Sequence, residues 1–407
     1  MEVVEQNFSG QSLFRLTAFR NYWIARICSV GAYQMQVVAT GWSVYELTGS
    51  AFDLGLVGLV QFLPKVVLTL WAGAVADRLD RRRIAMACTF IQLITCGLLA
   101  WGSGLGWLSR ETIFGLIAII GAARAFEMPT MQSMLPNIVD AALFPRALAL
   151  STAAIQIAII GGPALAGLVF LTGVTNVYLV ATCFFAIACT MMSLMPLLPP
   201  RVSAKSSDSL WAGLQFIAAK PVILGAISLD LFAVLLGGAT AMLPIYAKDI
   251  LRVGPTGLGL LQASPAIGAL AMTWYLTRYP LKRRIGRSLF VSVAIFGLGT
   301  ILFALSTSFW FSLTMLATLG AADCISVVIR QSLVQLETPD DMRGRVSAVN
   351  SVFIGASNQL GEFESGTSAA FIGTVPSVVA GGIGTLLIVA VWLKLFPSLA
   401  ARDRLTA

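Results

Sequence analysis

Apolar residues run along this chain in long stretches, broken at short intervals by charge, glycine and proline. A membrane-crossing helix needs about 20 predominantly apolar residues. Twelve stretches reach that length: 21–46, 53–76, 84–106, 112–135, 144–172, 174–197, 221–248, 256–278, 287–306, 309–334, 345–373 and 376–397. The pattern predicts an all-α membrane protein of twelve transmembrane helices with short loops. The longest loop, 198–220, lies at the midpoint. It divides the chain into an N-terminal half (1–200), a cytoplasmic linker (201–220) and a C-terminal half (221–407).

Composition agrees with this reading. Of the 407 residues, 57% are hydrophobic and 11% charged, whereas an ordinary soluble domain carries roughly 25% charged residues. There is no histidine, which excludes a Ser-His-Asp triad, a histidine general base, an imidazole metal ligand and a histidine pH sensor. Proton chemistry near neutral pH falls to carboxylates. The cysteines (Cys28, Cys88, Cys96, Cys183, Cys189, Cys324) lie inside apolar stretches with no CxxC pair, and are read as small buried hydrophobes. The net charge of +8 is no nucleic-acid signal, because the basic residues sit in short loops. With a cytoplasmic N-terminus, cytoplasmic loops and both ends hold 22 of the 27 Lys and Arg, counting Arg26 and Arg330 near helix ends. The opposite side holds Arg110, Lys248 and Arg252, while Lys65 and Arg124 fall within the membrane. This asymmetry places both termini in the cytoplasm. The first twenty residues, polar and mixed in charge, are read as no signal peptide. A multi-pass membrane protein with both ends in the cytoplasm follows.

An internal repeat is legible. Gly58-Leu59-Val60-Gln61-Phe62-Leu63-Pro64 recurs as Gly259-Leu260-Leu261-Gln262-Ala263-Ser264-Pro265, an offset of 201 that also maps Arg81-Arg82-Arg83-Ile84 onto Lys282-Arg283-Arg284-Ile285. Further on the offset is 199, mapping Gly121-Ala122-Ala123-Arg124 onto Gly320-Ala321-Ala322-Asp323, Arg146 onto Arg345, Gly162 onto Gly361 and Gly167 onto Gly366. Two parallel repeats of six helices are predicted, with a substrate site near the midplane.

Gly73-Ala74-Val75-Ala76-Asp77-Arg78-Leu79-Asp80-Arg81-Arg82-Arg83 follows the second stretch. It resembles the signature loop of the major facilitator superfamily. Its elements make physical sense: Gly73 permits close helix approach, Asp77 can pair with cations or a helix N-terminus, and the arginines anchor the loop at an anionic surface. Gly161-Gly162-Pro163-Ala164-Leu165-Ala166-Gly167 is similar to an element that exporters of the superfamily carry. It places Ala158, Gly162 and Ala166 on one face, a face copied by Ser357, Gly361 and Ser365. With Gly41-Trp42-Ser43-Val44-Tyr45 and Arg343-Gly344-Arg345-Val346, the whole chain resembles the macrolide-efflux and enterobactin-exporter branch. The resemblance implies the twelve-helix major facilitator fold, alternating access and proton-driven export of amphiphilic compounds. It also implies a cytoplasmic gate of Gly73, Asp77, Arg78, Arg81 and Arg82 against Arg345, and a packing hinge of Gly162, Pro163, Gly167, Gly361 and Gly366.

Ionisable residues inside the membrane are functional candidates by default. Asp230, near the middle of the seventh stretch, has no charged neighbour three or four residues away, so its partner is another helix or a proton. Desolvation raises a carboxylate's affinity for protons, and Asp230 ranks first as proton carrier, followed by Glu362 and Asp323. Arg124, Glu127, Lys65 and Glu364 complete the intramembrane charges. Arg124 has two candidate partners: Glu127 one turn away, or Asp323, its repeat equivalent.

The leading expectation is a proton-coupled antiporter exporting a siderophore or drug. The alternatives are uptake, export of a divalent metal by the carboxylates, or a non-transporting receptor or scaffold. No metal motif, nucleophile elbow or phosphate loop supports an enzyme, and Gly102–Gly106 is read as an outer-loop turn. No cofactor or metal is expected. The expected partners are the substrate, protons and lipid, without nucleic acid, for a monomer.

Overall fold

The computed structural model describes residues 13–140, 142–196, 210–281, 283–339 and 342–404, apart from the side chains of 69–78, 210, 211, 343, 344, 348 and 351. Twelve long helices follow one another: α1 Thr17–Thr48, α2 Ala51–Arg78, α3 Arg81–Leu105, α4 Arg110–Ile138, α5 Phe144–Val169, α6 Val174–Ser193, α7 Pro221–Leu236, α8 Gly254–Arg278, α9 Ile285–Ala304, α10 Phe309–Glu337, α11 Arg343–Ile372 and α12 Thr374–Leu395. No strand occurs among the described residues. Among the described residues nine spans are long and apolar enough to cross a membrane: eight of these helices (α2 to α6, α9, α10 and α12) and the run Pro221–Ile250 that begins with α7. The others are equally long but more polar; α1 carries Gln34, Gln36 and Thr40, and α11 carries Asn358, Gln359, Glu362 and Glu364.

Local chemistry sets the helix ends. Asp80 caps α3 by accepting from the Arg82 amide at 2.8 Å, and Ser109 caps α4 by accepting from the Thr112 amide at 3.2 Å. Prolines occupy the first turns of α5, α7 and α8, where the missing amide has no intrahelical partner to lose. Gly102–Leu105, inside the third expected stretch although also read as an outer-loop turn, form the last turn of α3; Gly106 closes it in the left-handed conformation, φ 73°.

Helix α7 departs from the continuous seventh helix expected. It stops at Gly237, and the chain continues through a 3-10 turn (Ala239–Met242), a short helical turn (Leu243–Ile245) and a π turn (Tyr246–Ile250). Gly238 packs against α11, where a Cβ would meet the Gly361 carbonyl oxygen at 2.5 Å and Ser365 Oγ at 2.6 Å. Two successive glycines in an apolar run give hydropathy no warning of this break.

The chain gathers into two compact units. One holds the chain up to Thr40 and from Val60 through α6; the other holds Gly41–Leu59 and the chain from α7 onward. The first has a core of Phe19, Tyr22, Met131, Met134, Leu135 and Met192, the second one of Leu229, Leu289, Phe290, Ile329 and Leu333. The repeat seen in the sequence recurs inside each. Gly121 of α4 abuts the Gln61 carbonyl of α2, and its equivalent Gly320 of α10 abuts the Pro265 carbonyl of α8. The α5–α6 turn passes through Gly173 at φ 108°, and the α11–α12 turn through Gly373 at φ 89°.

Candidate functional site

Each unit contains a cavity bordered by intramembrane charges, most of them singled out in the sequence. In the first unit, α4 presents Arg124 and Glu127 on one face, and they form an ion pair at 3.3 Å. Glu127 is held further by Ser29 of α1, which donates a short hydrogen bond to Oε1, and by Gln92 of α3, which donates to Oε2 at 2.7 Å. The Arg124 guanidinium lies over the Tyr33 ring, 4.1 Å from its centroid, and the Tyr33 hydroxyl donates to Gln61 Oε1 at 2.9 Å. Lys65, half-buried in α2, lies within electrostatic reach of Arg124. The cavity beside this network has a volume of about 150 Å³ and is bordered by Arg26, Tyr33, Gln34, Arg124 and Glu127. Arg124 thus takes the local partner of the two expected.

The second unit's cavity, about 230 Å³, is bordered by Asp230, Asp323, Arg330, Ser357, Asn358 and Glu362. Asp230 of α7 is ion-paired with Arg330 of α10, and both are buried. The ranking of Asp230 as first proton carrier rested on its lack of a local partner; α10 supplies that partner, so Asp230 is the least free of the three candidates. Asp323 and Glu362 border the same space with no hydrogen bond or ion pair among the described residues. The Ser326 hydroxyl, three residues on from Asp323, is buried with no partner among the described residues. Glu362 fits where it does because α2 offers Gly58, at which a Cβ would overlap its carboxylate. Glu364 is half-buried on a different face of α11. Formally this cavity carries three acids and one base, and the first unit's carries two bases and one acid.

The small-residue positions lie at close helix contacts. A Cβ on Gly162 would come within 2.7 Å of Gln34 Cβ of α1, and one on Gly361 within 2.9 Å of the Val234 and Leu235 carbonyl oxygens of α7. Gly366 meets Gly55 of α2, whose Cβ would lie 2.9 Å from Gly366 Cα. Pro163 and Gly167 are buried within α5. Of the expected gate, the side chains of Gly73, Asp77 and Arg78 lie outside the described residues. Arg81 donates to the Ser133 carbonyl of α4 at 3.0 Å. Arg82 donates to the Met192 carbonyl at 3.1 Å and to that of Ser193, closing the C-terminus of α6 as a cation there should. Arg345 reaches Met342 Sδ at 2.9 Å.

Two arginines escaped the sequence reading. Arg26 and Arg330 were counted with the helix ends, yet both are buried and border the cavities. The spacing of Arg330 seven residues after Asp323, two turns on the same face, was the available signal.

A family model described as transmembrane secretion effector matches residues 8–405. The enterobactin exporter EntS of Escherichia coli O1:K1 / APEC is 25% identical over 381 residues, covering 91% of this chain and 90% of that protein. EntS of Shigella boydii serotype 18 is 25% identical over 379 residues, with the same coverage. Among solved structures, a bacterial homologue of the lysosomal transporter Spinster, inward-facing and occupied, superposes with a TM-score of 0.74 at 13% identity, covering 95% of this chain and 97% of that one. A bacterial homologue of the iron transporter ferroportin, inward-facing, gives 0.71 at 15% identity over 96% of this chain and 100% of that one. These structural likenesses establish the major facilitator fold. The chain belongs to the transmembrane secretion effector family and is a multi-pass inner-membrane transporter of the major facilitator superfamily, not an enzyme.

Proposed function

We propose that the protein is a proton-coupled exporter of an amphiphilic small molecule such as a siderophore or drug. The observation that carries the reading is the second unit's cavity, which Asp323 and Glu362 border with no hydrogen bond or ion pair among the described residues. An ionised carboxylate at such depth is unfavourable, so each is driven to take a proton whenever the cavity is closed to the side that would hydrate its charge. A proton taken up outside and released inside supplies the free energy for moving a substrate outward. Asp230 is held by Arg330 and orders the cavity wall. The similarity to the enterobactin exporters supports the outward direction and the substrate class. The loop charges support cytoplasmic termini. A divalent cation is less well served, because no group of three candidate ligand residues occurs among the described residues.

The test is enterobactin uptake into inverted vesicles carrying the protein. Uptake is expected to follow an imposed pH gradient, to collapse with a protonophore, and to lose its pH drive in Glu362→Gln or Asp323→Asn. Uptake indifferent to the gradient, or full pH drive in both variants, overturns the reading.

A further inference from the structure

The cavity of the first unit takes no part in that proton chemistry, and its charges do not balance. Arg26 lies nine residues into α1, about 14 Å along the helix at 1.5 Å per residue. It is 7% exposed and borders the cavity. Among the described residues it makes no hydrogen bond or ion pair, its Nε being buried without a partner, and its guanidinium carbon lies 5.8 Å from the centroid of the Tyr22 ring. Glu127 does not neutralise it. One Glu127 oxygen is taken by Ser29 and the other is shared by Gln92 and Arg124. Among the described residues Glu127 is also the one acid within the body of this unit's helices, the others lying at helix ends. The region therefore holds surplus positive charge in a buried place, with a guanidinium whose fork of donors is unspent. A guanidinium is suited to bidentate recognition of a carboxylate or similar anion. Methionine and isoleucine side chains complete the wall, so the site joins an anion-binding end to an apolar flank.

We infer that Arg26, with Arg124 beside it, forms a subsite for the anionic head group of the transported amphiphile. The inference rests on the transporter reading above and adds the charge of the substrate. At about 150 Å³ the cavity takes a head group, not a whole amphiphile. A carboxylate on a substrate and the head group of an anionic lipid share this chemistry, and the test must separate them.

The full chain is placed in nanodiscs of pure phosphatidylcholine and titrated calorimetrically with 2-naphthoate, its neutral amide 2-naphthamide, and 2-naphthylmethylammonium. The anion is expected to bind at least about tenfold more tightly than either analogue, as one charge-assisted hydrogen-bonded contact implies. Arg26→Gln should remove that preference while leaving the weak binding of the amide unchanged. Arg26→Lys, which keeps the charge and loses the fork, should retain a reduced preference, and decides the matter if the glutamine variant does not fold. Equal affinity for the three compounds, no binding of naphthoate, or an undiminished preference in Arg26→Gln overturns the inference. Nanodiscs containing phosphatidylglycerol distinguish the source: competitive loss of naphthoate binding assigns the subsite to lipid and overturns its assignment to substrate. Binding is read without transport, so failure of pH-driven export leaves this result standing, and the reverse.

Discussion

Asp230 and Arg330 are each worth little alone in a membrane interior. A charge at the bilayer centre costs about 3 kcal/mol or more, and pairing is what makes both tolerable. Removing one partner is therefore worse than removing both. Arg330→Met, which leaves Asp230 buried and unpaired, is expected to lower stability by about 3–5 kcal/mol. The Asp230→Asn/Arg330→Met double variant should recover most of that loss. Thermal unfolding in detergent measures both; a double variant as unstable as the single one would mean the pair is not what holds these helices. At this scale the sequence was half legible. A lone carboxylate in an apolar stretch announces itself, so Asp230, Asp323, Glu127 and Glu362 were all found. Arg124 was found with them, but Arg26 and Arg330 were not, because they lie close enough to basic loops to be counted with them. Pairing between helices is a fact of packing, which one-dimensional charge counting does not contain.

At the scale of the element, hydropathy placed eleven of the twelve helices within a few residues of their ends, since the length and apolarity that a span needs are written in the sequence; the seventh, expected to run to 248, stops at Leu236. The break in α7 was not legible, because its cause lies on another helix: the Gly361 carbonyl and Ser365 of α11 stand where a side chain at 238 would go. The same logic separates the adjacent glycines of α5, which look alike in the sequence. Gly161 has nothing within 4 Å of a Cβ, whereas Gly162 would meet Gln34 Cβ at 2.7 Å. Gly161→Ala is expected to be neutral or to stabilise by up to about 1 kcal/mol through helix propensity. Gly162→Ala should push α5 from α1, lowering both melting temperature and transport rate. Equal behaviour of the two variants in a melting curve would show that the helices give way at this contact and that close packing there is not required.

Across the whole molecule, the two repeats have kept their framework and exchanged their chemistry. Gly121 and Gly320 make the same contact in their own units, as do the turns at Gly173 and Gly373. Yet the position after the shared Gly-Ala-Ala is Arg124 in one unit and Asp323 in the other. One cavity is left with excess positive charge and the other with excess negative charge. In the proton-coupled exporter proposed above, proton and substrate occupy the protein in turn, and linkage then requires each to weaken binding of the other by the same factor. The consequence is measurable with 2-naphthoate, whose carboxylate stays ionised near neutrality. Its affinity for the wild-type protein should rise between pH 6 and pH 8 by about fivefold or more, within the usual range of such couplings. Glu362→Gln, which imitates the protonated carboxylate at all pH values, should bind naphthoate weakly throughout and lose most of that dependence. Arg26→Gln should also bind it weakly, but with the pH dependence of what binding remains intact, since the group that titrates is still present. If Glu362→Gln and Asp323→Asn both keep the full pH dependence, the carboxylates of the second unit do not communicate with the anion subsite of the first.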